Sequence, residues 1–137
     1  MSYALSHIFR QPAKLVSINE TAGRSWQSTS AFKRFWREAG WAHGNEIKHE
    51  LHRIGFATPL RVPATVDFCF NAYTNTRRDG HNYSGTVCKW FIDGMVQAKV
   101  FYDDSVEHLT LLDPTFVVVP RSEPLTAIVT LEMGTRP

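Results

Sequence analysis

Apolar and polar positions change their period along the chain, and each change marks an element. Tyr3 to Phe9 reads as a short opening strand, ended by Pro12. Residues 12–30 are rich in Ser, Thr, Gly and Asn and read as loop, with Ser28, Thr29 and Ser30 as candidate helix N-caps. From Ala31 to about Ile54 the apolar positions are Phe32, Phe35, Trp36, Ala39, Trp41, Ala42, Ile47, Leu51 and Ile54. Most recur at spacings of three and four, which predicts one long amphipathic helix. Gly40 and Gly44 are points where it could bend or break, and Gly55 is its natural stop.

Pro59 and Pro63 frame the entry to a strand, Thr65 to Phe70, whose alternation puts Val66, Phe68 and Phe70 on one face. A polar loop, Asn71 to Gly85, leads to a second helix from about Thr86 to Lys99. Strands follow at Val106–Leu111, Thr115–Val119 and Leu125–Met133, with turns at Asp113-Pro114 and Pro120–Pro124. The pattern predicts an α+β fold: an α/β-type mixed sheet of about four to five strands with two main helices, one domain over residues 1–137.

Composition narrows the class. Of 137 residues, 43% are hydrophobic and 20% charged, enough for a core without metal or disulfide staples. Mean hydropathy is −0.24, and no apolar run approaches the roughly 20 residues of a transmembrane helix. No basic segment followed by an apolar one opens the chain, so a cytoplasmic protein with no membrane partner is expected. Cys69 and Cys88 form no CxxC pair and read as reduced, buried thiols. The charge is uneven. Residues 1–60 carry eight Lys/Arg against four Asp/Glu, and residues 61–137 carry seven against nine. Such a split suits a protein that holds a polyanion with one surface and a cation with another.

The second predicted helix is apolar around most of its circumference, and Lys89, Asp93 and Gln97 form its one polar stripe. A charged pair on an otherwise buried helix either faces a functional cleft or is a plain intrahelical ion pair, worth about 0.3–0.5 kcal/mol if exposed. Carboxylates flank this helix: Asp79 just before it, Asp103 and Asp104 just after. With Arg77 and Arg78 they are the parts of a Mg²⁺ phosphodiesterase, in which hard oxygens hold the metal and cations hold the phosphate. The plain alternatives are a solvated turn for Asp103-Asp104 and a solvated loop for Arg77-Arg78. The helix spans about 20 Å, so the two acidic groups meet within one subunit only if loops fold back. His49-Glu50-Leu51-His52 lacks the i, i+4 histidine pair of a zinc-protease helix. His81 could ligate a metal or move a proton, while His7, His43 and His108 have no context.

The segment Arg77-Arg78-Asp79-Gly80-His81-Asn82, followed by Lys89, Asp93 and Asp103-Asp104, resembles the RusA family of Holliday junction resolvases. The family pattern is a basic run, then D-x-D-N, a helix with Lys and Asp four residues apart, and D-D about ten residues later. Leu15 to Glu20 with Trp26 and the Trp36-Arg37-Glu38-Ala39 stretch resembles the family's early loop and first helix. Leu131-Glu132-Met133-Gly134 resembles its last strand, so the likeness runs over roughly residues 4–134.

The resemblance implies a RusA-like fold and a homodimer that binds branched DNA and resolves four-way junctions by paired symmetric nicks, in a bacterial or phage-infected cell. It implies Mg²⁺ or Mn²⁺ as cofactor, Asp79 and Asp104 as catalytic and metal-binding aspartates, and Lys89 as the catalytic lysine. His81 stands where the family has its second aspartate, and the interval from Asn82 to Lys89 is longer by about one helical turn. His81 could serve as a nitrogen ligand, favouring Mn²⁺. Asp93 or Asp103 could complete the shell instead, or the chain could be an inactive DNA-binding dimer. Arg77, Arg78, Lys33, Arg34 and Arg37 are the candidates for contacts to the DNA backbone.

Overall fold

The computed structural model describes residues 2–21, 26–105 and 108–134. Its elements are β1 (Tyr3–Arg10), α1 (Ile18–Thr21), α2 (Trp26–Arg53), β2 (Ala64–Ala72), α3 (His81–Tyr83), a π-helical turn (Ser84–Cys88), α4 (Lys89–Gln97), β3 (Leu109–Leu111), β4 (Thr115–Val118) and β5 (Thr126–Met133). This is the expected α+β class, with a five-stranded mixed sheet. The predicted strand start at Val106 lies outside the described residues, as do residues 22–25 of the predicted loop.

The last strand is not at the edge. β5 runs antiparallel between β1 and β2, pairing Leu5 with Leu131 on one side and Val66 with Leu131 on the other. The remaining edge of β2 carries two short parallel strands in succession. β3 pairs Ala64 with Leu109, and β4 pairs Cys69 with Thr115. Leu112 to Pro114 interrupt this edge, and the Leu112 N–H still donates to the Val66 carbonyl at 2.9 Å.

Alternation decides which sheet face is covered. Val66, Phe68, Phe70, Val129 and Leu131 are fully buried against Trp36, Ile47, Leu51, Phe91 and Met95 of the helices. Each such side chain contributes roughly 1.5–3 kcal/mol through burial. The opposite face carries Ala4, Ser6, Ile8 and Arg10 exposed along β1. Cys69 lies on that face and is half-buried, whereas the sequence pattern treats it as buried.

α2 runs unbroken through Gly40 and Gly44 and begins five residues before the predicted start, so Ser28 to Ser30 lie inside it. The glycines permit a close crossing rather than a bend. A Cβ at Gly40 would overlap the Phe91 carbonyl, and one at Gly94 would overlap the Arg37 carbonyl. Both long helices stop in the same way. Phe56 N–H bonds the Leu51 carbonyl and Gly55 N–H the His52 carbonyl, with Gly55 at φ 98°. Val100 and Lys99 repeat these bonds to Met95 and Val96, with Lys99 at φ 70°.

The second helix also starts early. Residues 81–97 are continuously helical, so the long interval after Asn82 is absorbed as helix. The π turn, Ser84 to Cys88, lies immediately before Lys89. Among the described residues no helix is long and apolar enough to cross a membrane.

Candidate charged site at the sheet edge

Lys89 is the first residue of α4, where the buried π-turn residues Thr86, Val87 and Cys88 fix its direction. The Thr86 hydroxyl donates to the Val16 carbonyl and anchors the turn to the segment before α1. Lys89 Nζ donates to Asp93 Oδ1 at 2.8 Å and is ion-paired with Asp104 Oδ2. The pair expected at i, i+4 is therefore present, and a third charge joins it from outside the helix.

Asp104 arrives there because the chain reverses at Lys99 and buries Val100 and Phe101, while Leu60 N–H holds the Val100 carbonyl at 2.9 Å. Lys89 and Asp104 line a cavity of about 280 Å³ with Ile92, Leu109, Thr110 and Leu111. The three charged side chains are 33–42% exposed. Ion pairs this wet contribute at most about 1 kcal/mol each, so stability is a poor account of the arrangement.

The other expected ligands lie elsewhere. The Asp103 carboxylate accepts the Ser105 N–H at 3.0 Å, a bond that holds its pKa below the usual carboxylate value. The solvated-turn alternative thus describes Asp103 but not Asp104. Asp79 opens the second helix: its Oδ1 accepts the His81 N–H at 3.1 Å and its carbonyl accepts the Asn82 N–H at 3.0 Å.

This turn sits on the break in the sheet edge, where a Cβ at Gly80 would overlap the Pro114 carbonyl. The Ser84 hydroxyl donates to Asp113 Oδ1 at 3.0 Å, and His81 Nδ1 lies 3.9 Å from the same oxygen. Asp113, which the sequence pattern assigns only to a turn, is therefore the acid that faces the His81 ring. The signal was an acid in the turn between two neighbouring strand patterns.

Among the described residues, no three of Asp79, His81, Asp103 and Asp104 bring donor atoms within 4.8 Å of one another. Asp79 and Asp104, with Asp103 and His81 as the further candidates, are thus not gathered into one metal shell within one chain. The helix from His81 to Gln97 separates its two ends, and Asp103 is committed to its own turn.

The basic residues divide in the same way. Lys33, Arg34 and Arg37 are exposed on α2 and share a groove of about 530 Å³ with Gly85, Thr86 and Trp90. Arg78 instead braces its own loop. It donates to the Thr74 and Thr76 carbonyls and to the Thr74 hydroxyl, each at 3.1 Å, and lies 5.7 Å from the centre of the Phe116 ring. Arg77 is exposed beside it.

Cys88 is no nucleophile, since burial, with Asp113 and Asp67 nearby, pushes its thiol far up. His49 and His52 are exposed, and Glu50 is bonded to Arg53 at 2.6 Å, which leaves no zinc-protease arrangement on that segment. No protein-family model matches the chain, and no curated protein is significantly similar to it.

Proposed function

We propose that this protein is a divalent-metal-dependent endodeoxyribonuclease that acts as a homodimer on four-way DNA junctions, as its resemblance to the RusA family implies. The observation that carries the reading is the junction of Lys89 with Asp104, two residues fifteen apart in sequence whose roles the resemblance pairs. The basic groove of Lys33, Arg34 and Arg37 adjoins the π turn and Trp90, so a DNA backbone held there passes next to the start of α4.

Mg²⁺ usually binds through one or two carboxylates, keeps several waters and takes further oxygens from phosphate. Asp93 and Asp104 already converge on one cationic group, the Lys89 ammonium, and their partial exposure leaves room for water. These carboxylates would hold the ion, which supplies a Lewis acid and lowers the pKa of a bound water. Lys89 then neutralises charge growing on the phosphate oxygens. A two-fold dimer provides the two equivalent sites that a four-way junction presents. A second copy would be a source of further donors, since among the described residues the carboxylates paired with Lys89 are Asp93 and Asp104 and not Asp79.

The second reading, a junction-binding dimer without catalysis, is favoured by one observation: His81, in place of an acid, is 81% exposed and turned toward Asp113. A synthetic mobile four-way junction separates the two, tested with Mg²⁺ and with Mn²⁺ against wild type and Asp104→Asn. Paired symmetric nicks reduced about a hundred-fold or more in the variant are expected, with binding retained. Tight binding with no nick in either metal selects the second reading, and no binding at low salt sinks both.

A further inference from the structure

Two histidines that have no context in the sequence meet across the other edge of the sheet. His7 lies on the helix-facing side of edge strand β1, and His43 in the middle of α2. His7 Nε2 and His43 Nδ1 are 3.0 Å apart. Glu46, nearly one turn beyond His43, places Oε2 3.2 Å from His7 Nε2 and 3.6 Å from His43 Nδ1. A tetrahedral ion about 2.0–2.1 Å from each ligand holds those ligands roughly 3.3–3.4 Å apart. The three separations, 3.0, 3.2 and 3.6 Å, lie within about 0.3–0.4 Å of that spacing.

We propose that His7, His43 and Glu46 form a binding site for a divalent transition-metal ion of the zinc class, separate from the carboxylates around Lys89. The donor set suits such an ion, because two imidazoles with one carboxylate prefer zinc, cobalt or nickel over magnesium. The rings are held in place. His43 packs against Phe9 at 5.3 Å between ring centres and stacks on Phe91 at 6.4 Å.

Without an ion the two ring nitrogens share a hydrogen bond at 3.0 Å beside the Glu46 carboxylate, and a bound cation would take the place of that proton. Glu46 is 61% exposed. A coordination position is thus left toward a groove of about 740 Å³ lined by Ser6, Asn45, His49 and Glu50. Three protein ligands and one open position are the pattern of a site that also takes water or a small ligand. The ion would clip the edge strand to α2, and its binding energy would add to the stability of the fold.

The test is a Co²⁺ titration of the full chain after chelator treatment, read by the visible absorption of tetrahedral cobalt. One equivalent per chain is expected, displaced by Zn²⁺ and not by excess Mg²⁺. Glu46→Gln should raise Kd by more than roughly ten-fold, since even residues that only orient ligands are worth that much. Its exposure makes it safe for folding, and circular dichroism checks this. His43→Gln should abolish the bands.

No cobalt spectrum, or one indifferent to Glu46→Gln and His43→Gln together, overturns the proposal. So does loss of the bands in Asp104→Asn, which would place the ion at Lys89. The cobalt spectrum is read without DNA or cleavage, so this inference stands or falls apart from the nuclease reading.

Discussion

The two edges of the sheet each carry three ionisable side chains, and they are built on opposite principles. At the β3 edge, Lys89 sits between Asp93 and Asp104, so the cluster holds both signs of charge and satisfies itself. At the β1 edge, His7 and His43 share a hydrogen bond beside Glu46, and among the described residues no Lys or Arg pairs with Glu46. The number of ionisable groups is the same. What differs is whether the protein supplies the cation, and that decides what each edge can accept. On the proposed function the first would release its lysine to an incoming phosphate, and on the proposed metal site the second would take in a cation.

Removing the cations beside the first edge should have the largest effect. Lys33, Arg34 and Arg37 replaced together by Ala should weaken junction binding at least roughly ten-fold. The slope of log affinity against log salt should become shallower by about 0.9 for each phosphate the protein no longer neutralises, measured between roughly 50 and 200 mM salt. Glu46→Gln should leave that slope unaltered, and an equal change in both variants would erase the distinction between the edges. Lys89→Met removes the internal counter-charge and leaves two carboxylates facing each other. Urea unfolding should show a loss of about 1 kcal/mol or less, because the cluster is partly wet.

Lys99→Gly sharpens the comparison by loosening the turn that delivers Asp104. Lys99 has φ 70°, which glycine adopts without strain, so unfolding should show a gain of about 0.5–1 kcal/mol. The smallest effect is in pH. His7 has a native pKa below its ordinary value of 6.5, so the unfolded chain binds the extra proton first. Stability from this group is complete above pH 6.5 and falls as the pH drops through the native value. Metal-free protein should show this loss, and His7→Gln should flatten it.

Local pattern made much of the fold legible. The three-and-four spacing marked α2, the alternation of Val66, Phe68 and Phe70 marked β2, and Gly55 marked a real helix end. Relations between elements were not legible. Gly40 and Gly44 read as weak points because a helix pattern contains no information about its neighbour, and the neighbour is what requires them. The insertion of β5 between β1 and β2 has no local signature either.

The site divides in the same way. Lys89 and Asp93 are one helical turn apart and were visible, whereas Asp104 reaches them from beyond the helix, which no local spacing encodes. Asp103 and His81 follow local hydrogen bonding and exposure that spacing alone does not encode. His7 and His43 lacked context because they lie on different elements. The i, i+3 spacing of His43 and Glu46 on a recognised helix was the one local sign of their partnership.

The crossing of α2 and α4 governs what this chain can become. Hydrogen is the only side chain that fits at Gly40 and Gly94, so both positions are closed to drift unless the helices separate. Lys89, Asp93 and Asp104, each a third or more exposed, can be exchanged one at a time with the backbone unmoved. A descendant could therefore lose its chemistry while keeping its shape. The surviving mark of common ancestry would then be a pair of glycines rather than an acidic motif.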